Sequence, residues 1–115
     1  LLADNALQIV RPDIFYFGGM IRSIKVARMA AAVGATCVPH ISGSGLGYLY
    51  ALHFVSTLPN AGKFHPNSRD SFKIPMTCNT STLEVKNGEV KVPTGVGLGV
   101  TLDPDFVSRH QEIVL

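Results

Sequence analysis

Short apolar runs and amphipathic stretches alternate along the first two thirds of the chain. Residues 6–10 form an apolar run, and aliphatic and aromatic residues at 14–17 follow it before Gly18 and Gly19 interrupt the pattern. After these glycines, apolar side chains recur at helical spacing, with basic side chains on the opposite stripe. The spacing predicts a helix that ends at Gly34, since glycine is preferred just beyond a helix C-terminus. The apolar positions are Ile21, Ile24, Ala27 and Ala31, and the basic ones are Arg22, Lys25 and Arg28.

The same order of elements then repeats. Residues 35–41 predict a short strand, a glycine-rich loop follows at 42–45, and a second helix is predicted over 46–57. Residues 61–65 predict a third strand. Repeated strand–loop–helix units require parallel strands with right-handed connections. The pattern therefore predicts an α/β fold, either a (β/α)₈ barrel or a doubly wound sheet.

The last third of the chain has a different pattern. Residues 82–86 and 89–92 alternate polar and apolar side chains around an Asn-Gly pair at 87–88. This arrangement is a strong signal for a β-hairpin with a two-residue turn. We therefore predict two parts, residues 1–72 with the βα units and residues 73–115 with the hairpin and a tail.

His40 and Asp13 are the candidate catalytic pair. His40 lies at the predicted end of the second strand, and Asp13 occupies the corresponding place one unit earlier, 27 positions before it. Carboxyl ends of parallel strands meet at one edge, where α/β enzymes place catalytic groups. A carboxylate bonded to one imidazole nitrogen fixes the tautomer and makes histidine a better base. The alternatives are a histidine that is hydrogen-bonded without a catalytic role and an aspartate that only braces the turn after Pro12.

The glycine-rich run at 43–47 opens the second predicted helix, where backbone N–H groups can bind an anion. The run lacks the GxGxxG spacing and the acidic residue expected about 20 positions later in a dinucleotide site. A flexible active-site loop is therefore favoured.

The composition of the chain indicates which kinds of partner and which cellular compartment to expect. Charged residues make up 16% of the chain, against about 25% in an average soluble domain, which suggests that other parts of a longer chain cover much of this surface. The basic residues are scattered, so no nucleic-acid surface is predicted. The apolar runs are shorter than the roughly 18 residues of a membrane span. Two cysteines are too few for a disulfide framework, which favours the cytoplasm.

An ordered series of short motifs runs through nearly the whole chain. It comprises Ile-Val-Arg-Pro-Asp at 9–13, Gly-Gly at 18–19, Lys-Val-Ala at 25–27, Gly34 and Val-Pro-His at 38–40. The series resembles the mandelate racemase/muconate lactonizing enzyme family of the enolase superfamily. The closing run at 92–100 resembles that family's usual C-terminal segment. The resemblance implies the C-terminal part of a modified (β/α)₈ TIM barrel, about strands six to eight, plus a β-hairpin segment that returns to the capping domain.

The resemblance also implies a reaction. Family members abstract the proton α to a substrate carboxylate and stabilise the resulting enediolate on one Mg²⁺ ion. Asp13 matches the dyad aspartate of the sixth strand, and His40 matches the dyad histidine of the seventh. The magnesium ligands and the catalytic lysines are expected upstream of Leu1, so this segment alone is expected to be inactive.

We expect the full-length protein to be a cytoplasmic, homo-oligomeric acid-sugar dehydratase, which is a lyase, acting on a small-molecule carboxylate. A racemase, epimerase or cycloisomerase of the same family, and a non-catalytic barrel with a vestigial dyad, are the alternatives. Many members carry a glutamate at the end of the eighth strand that contacts the substrate. This sequence has His65 there, so His65 is a candidate substrate contact, and Ser42 in the preceding loop is the second.

Overall fold

The computed structural model describes residues 1–4, 6–41, 45–66, 74–78, 80–109 and 111. Strands and helices alternate in the first half of the chain, whereas the second half holds an antiparallel pair and a short helix. The elements are β1 (Ile9–Val10), α1 (Gly19–Ala31), β2 (Thr36–Cys37), α2 (Leu46–Ser56), β3 (Met76–Thr77), β4 (Thr101–Leu102) and α3 (Pro104–Ser108).

β1 and β2 are neighbours in a parallel sheet, with Val10 opposite Cys37. Their register continues beyond the strands to a parallel bridge between Asp13 and His40. Parallel neighbours require a crossover connection, and α1 supplies it. The repeat length of one βα unit therefore brings these two polar residues to the same edge of the sheet.

Both long helices agree closely with the sequence pattern. α1 begins at Gly19, directly after Gly18, and the φ angles of these two residues, 86° and 100°, lie in the left-handed region that favours glycine. It closes before Gly34, which has φ 73°, and the Ala35 N–H donates to the Ala30 carbonyl. α2 ends at Ser56, one residue before the predicted end. None of the described helices is long and apolar enough to cross a membrane.

The core lies between the parallel strands and the two helices. Alternate strand residues face opposite sides of a sheet, so Val10 and Cys37 are buried whereas the preceding Ile9 is half exposed. Small side chains on α1 let that helix lie close to the sheet. The buried cluster comprises Val10, Ile14, Ala27, Ala30, Ala35, Cys37, Ala51 and Phe54.

The predicted third strand is much shorter than expected. Ala61 forms a parallel bridge with Cys37, and the Gly62 N–H donates to the Cys37 carbonyl at 3.0 Å. Among the described residues this pairing goes no further, because the chain bends at Lys63 and the His65 ring bonds back to the Gly62 carbonyl. The five-residue strand was therefore wrong in length, although its first residue does join the sheet.

The predicted hairpin forms only at its turn. Lys86 and Glu89 exchange backbone hydrogen bonds of 2.9 and 3.0 Å around the Asn-Gly pair. In the described part of this segment no further ladder follows, because Leu83 has φ 56°, which breaks an extended strand. The Ser81 hydroxyl also donates to the Lys91 carbonyl at 2.6 Å and so takes an acceptor that a ladder would use.

A two-stranded antiparallel sheet in the C-terminal part lies outside the predicted hairpin. β3 pairs with β4, with Met76 opposite Leu102. α3 follows directly, and the Asp103 carboxylate caps it by accepting the N–H groups of Asp105 and Phe106. The division at residue 72 stays a prediction.

Candidate active site

The structure brings Asp13 and His40 into direct contact. The His40 backbone N–H donates to the Pro12 carbonyl at 3.1 Å, which continues the parallel pairing past the strand ends. Nδ1 of His40 lies 2.9 Å from Oδ2 of Asp13. A carboxylate only accepts hydrogen bonds, so Nδ1 donates. The Asp13 side chain is 13% exposed, and the His40 side chain is 58% exposed.

The second carboxylate oxygen of Asp13 has a different task. Oδ1 accepts the backbone N–H groups of Phe15 and Tyr16 at 2.8 and 3.1 Å. The main-chain carbonyl of the same aspartate accepts the Phe17 N–H at 3.0 Å. Asp13 therefore braces the turn that follows it and also contacts His40, whereas its catalytic role stays a prediction.

This arrangement suits proton transfer. With Nδ1 donating to Asp13, a neutral imidazole presents Nε2 as an acceptor. A protonated imidazole would instead carry a proton on Nε2, which it can deliver, while the carboxylate stabilises its charge. The pair therefore has the geometry of a histidine acid–base held by an aspartate.

His65 lies in a different setting. Its Nε2 donates to the Gly62 carbonyl at 2.6 Å, and its buried Nδ1 has no hydrogen-bond partner among the described residues. The ring lines a cavity of about 390 Å³ between α2 and the C-terminal segment, together with Tyr48, Leu52 and Lys63. The described walls of that cavity include neither Asp13 nor His40. A substrate contact by His65 stays a prediction.

Ser42 lies outside the described residues. Gly45, the next described residue, has φ 62°. A Cβ at this position would clash with the side chain of Ile74. The contribution of the preceding loop to a pocket stays a prediction.

The two cysteines are free and differ in environment. Cys37 is buried in the sheet, and burial raises the pKa of its thiol. Burial would also raise the pKa of the Cys78 thiol, but hydrogen bonds with Thr80 and from the Ser81 backbone lower it overall.

Comparison with known proteins identifies the family. The family described as "Enolase C-terminal domain-like" matches residues 1–106. The chain belongs to this family. The resemblance to the enolase superfamily is thereby confirmed, and with it the α/β fold, whereas the numbering of the strands as six to eight stays a prediction.

Several relatives of this enolase-family chain are enzymes. A chloromuconate cycloisomerase from Pseudomonas putida is 36% identical over 81% of this chain and 25% of its own length. An arabinonate dehydratase from Saccharolobus solfataricus is 28% identical over 89% of this chain and 27% of its own length. The chain thus spans about a quarter to a third of the curated relatives it matches. These relatives include acid-sugar dehydratases and cycloisomerases.

A solved structure from the same superfamily has the same fold. The enolase from Pantoea ananatis with bound D-gluconate and magnesium has a TM-score of 0.75 and 21% sequence identity. The match covers 95% of this chain and 26% of that one. At this identity the likeness shows the fold alone.

Enolase superfamily members bind Mg²⁺, which requires a group of metal-ligating side chains. Among the described residues, no three side chains of histidine, cysteine, aspartate or glutamate are grouped in a way that could hold a metal ion. A protein magnesium site is built mainly from carboxylate oxygens in octahedral geometry. The described residues of this enolase-family segment do not fit such a site by themselves.

The sequence offered as one alternative that Asp13 braces the turn after Pro12, but it did not identify the two backbone groups that bond its carboxylate. The Phe15 and Tyr16 N–H groups stand two and three residues after the aspartate. Aspartate side chains in turns often accept the backbone N–H group two residues on. That signal was present in the enolase-family motif, and it pointed to the turn rather than to the site.

Proposed function

We propose that the whole protein is an acid-sugar dehydratase that removes the proton α to a carboxylate and eliminates water. The observation that carries the proposal is the 2.9 Å contact between His40 Nδ1 and Asp13 Oδ2 at the carboxyl edge of two parallel strands. Family membership and the dehydratases among the relatives support this choice of reaction. We further propose that the protein is cytoplasmic and homo-oligomeric.

His40 would act as the acid–base group. Its Nε2 would take the α-proton or deliver a proton to the departing hydroxyl, and Asp13 would hold the ring in the productive tautomer. A positioned group of this kind contributes about 10²- to 10⁴-fold to a rate. The elimination balances because the α C–H bond and the β C–O bond break, a C=C bond forms between the two carbons, and the proton and the hydroxide combine as water. The resulting enol then tautomerises to the 2-keto-3-deoxy acid.

Magnesium dependence is part of the proposal. The described residues form no metal site, so the ligands would have to come from other parts of the whole protein. The ion would supply Lewis-acid stabilisation of negative charge on the substrate carboxylate. The acid–base role proposed for His40 and Asp13 is argued from the hydrogen bond between them and does not depend on the ion.

A cycloisomerase is the second candidate, because the Pseudomonas putida relative is 36% identical to this chain. A racemase or epimerase of the same family is a third possibility. All three reactions transfer a proton to or from the carbon α to a carboxylate, so an acid–base dyad can serve each of them. A non-catalytic barrel with a vestigial dyad is the remaining alternative.

His40→Asn in the whole protein tests the role of the dyad. The amide nitrogen of asparagine can occupy the position of the imidazole Nδ1 and keep a hydrogen bond to Asp13. Asparagine has no atom at the position of Nε2, so the acid–base group is lost. We expect the fold to remain intact and turnover to fall by about 10²- to 10⁴-fold. A matched control is His53→Gln on α2, because the His53 Nε2 donates to the Leu98 carbonyl and glutamine can keep that bond.

The assay uses the sugar acids that the names of the relatives and of the Pantoea ananatis structure contain, and it detects 2-keto-3-deoxy products. These acids are D-gluconate, arabinonate, L-rhamnonate and D-xylonate, each supplied with added Mg²⁺. Exchange of the α-proton with solvent deuterium in the absence of a keto product would favour a racemase over a dehydratase. Full turnover by the His40→Asn variant would overturn the dyad assignment. Absence of both turnover and exchange in the parent protein would favour the vestigial barrel.

A further inference from the structure

The loop after β1 is built around the Asp13 carboxylate. Oδ1 accepts two backbone N–H groups of this loop, from Phe15 and Tyr16. Oδ2 of the same carboxylate accepts from His40. A carboxylate is rigid and planar, so rotation that breaks the bonds on one oxygen also displaces the other. The orientation of Asp13 toward His40 therefore depends on the conformation of the loop.

The residues at the tip of this loop are largely exposed, so burial contributes little to its stability. The Tyr16 side chain is 86% exposed, and Phe15 and Phe17 are 49% and 46% exposed. The Phe15 ring, however, meets the Tyr50 ring edge-on, with centroids 6.3 Å apart and planes at 81°. Edge-to-face pairs at this separation are favourable beyond the area they bury.

Tyr50 belongs to the second βα unit. It lies on α2, the helix that follows the loop after His40. The ring contact therefore joins the loop that carries the Asp13 hydrogen bonds to the helix that follows His40. The two βα units that carry the dyad are thus in contact both at the dyad and at the two rings.

We infer that Phe15 and Tyr50 form an aromatic clamp that keeps the Asp13 carboxylate aimed at His40. Both are positioning residues, because they act on the dyad through the loop and not on the substrate. The inference rests on the proposed function for its kinetic consequence, whereas its structural consequence can be measured without any substrate. An aromatic pair of this geometry changes an equilibrium by about 2- to 13-fold.

The test uses Phe15→Ala and Tyr50→Ala in the whole protein. Tyr50→Phe is the conservative variant, because it keeps the ring and removes only the hydroxyl. Tyr16→Ala is the matched control, since it lies in the same loop and keeps its backbone hydrogen bond to Asp13. Tyr50 is 41% exposed, so the Tyr50→Ala variant still tests the clamp if Phe15→Ala does not fold.

The first measurement is the exchange rate of the His40 Nδ1–H proton with water in ¹⁵N-histidine-labelled protein. The signal is assigned by its loss in the His40→Asn variant. We expect exchange about 2- to 13-fold faster in both clamp variants, and the parent rate in Tyr50→Phe and Tyr16→Ala. Parent-like exchange in both clamp variants, or an equal effect of Tyr16→Ala, would overturn the clamp.

The second measurement is turnover of the sugar acids named above. We expect the clamp variants to lower kcat by up to about 13-fold with little change in KM, because the inference assigns the two rings to the loop that holds Asp13 and not to the substrate. Faster proton exchange in a protein without turnover would support the clamp and reject the proposed reaction. Turnover with an unchanged kcat in both clamp variants would reject the clamp alone.

Discussion

Asp13→Asn separates the two tasks of this side chain, because asparagine keeps one oxygen and replaces the other with an N–H donor. The oxygen can continue to accept the backbone N–H groups of Phe15 and Tyr16, which lie 2.8 and 3.1 Å from Oδ1 in the parent. The amide nitrogen then faces His40 at the position of Oδ2, 2.9 Å from Nδ1. Two donors cannot share that bond, so Nδ1 must become the acceptor.

The consequence for catalysis follows from the tautomer. With Nδ1 accepting, a neutral ring carries its proton on Nε2, where the base is needed. For His40 to carry its proton on Nδ1 again, its hydrogen bond with the asparagine amide must break. The amide N–H and the Nδ1–H would then face each other as two donors. In a serine protease, the same substitution of the aspartate that bonds the catalytic histidine lowers kcat by about 10⁴-fold. We expect a loss of about 10³- to 10⁴-fold here, equivalent to about 4 to 5.5 kcal/mol.

Stability should respond far less than activity. The brace on the loop is kept, and the lost contact involves an imidazole that is 58% exposed, so solvent screens it. We expect the free energy of unfolding to fall by less than about 1 kcal/mol. Asp13→Ala removes the brace as well, and it should cost about 1 to 2 kcal/mol.

The assays are turnover, urea unfolding and ¹⁵N spectra of the histidine side chains. In Asp13→Asn, the His40 proton should move from Nδ1 to Nε2. A variant that keeps the parent kcat within about threefold, or that keeps the proton on Nδ1, would show that Asp13 does not set the tautomer. The proposed role of the pair would then fail.

Two further predictions concern packing and thiol chemistry. A Cβ at Gly62 would lie 2.4 Å from a Val38 methyl group, so Gly62→Ala should lower the free energy of unfolding in urea by about 2 kcal/mol. The loss should be clearly smaller when Val38→Ala is also present, because the clashing methyl group is then absent. Equal losses in both backgrounds would contradict the steric reason. Cys78 has a lowered thiol pKa and Cys37 a raised one, so iodoacetamide should label Cys78 first in native protein, at lower pH than an ordinary thiol, and Cys37 only after unfolding. Simultaneous labelling would contradict these environments.

The parallel units could be predicted because they rest on local patterns and a fixed repeat. One βα unit separates Asp13 from His40 by 27 residues, and parallel strands in register place equivalent positions side by side. The helix bounds followed from apolar spacing and from glycines with positive φ. Each of these signals agrees with the tertiary structure, so the contact between Asp13 and His40 could be expected from the residues alone, while the catalytic role of the pair stays a prediction.

The C-terminal part could not be predicted in the same way. Alternating side chains at 82–86 describe a strand, but Leu83 is buried and adopts φ 56°. Burial of one leucine thus overrides the local preference for an extended chain. The Ser81 hydroxyl then bonds the Lys91 carbonyl, a contact between residues ten apart that no period-two pattern contains. Only the Asn-Gly turn, whose conformation is set within four residues, survives in the structure.

The candidate site shows the same division between local and distant causes. The sequence left two roles for Asp13, and a planar carboxylate with two oxygens can perform both at once. The bond to His40 comes from the repeat, whereas the bonds to the loop come from the two residues that follow Ile14. Because one rigid group joins them, any contact that stabilises the loop also acts on the dyad. The rings of Phe15 and Tyr50 make such a contact, and an edge-to-face meeting of two separate units has no signature in the sequence of either one.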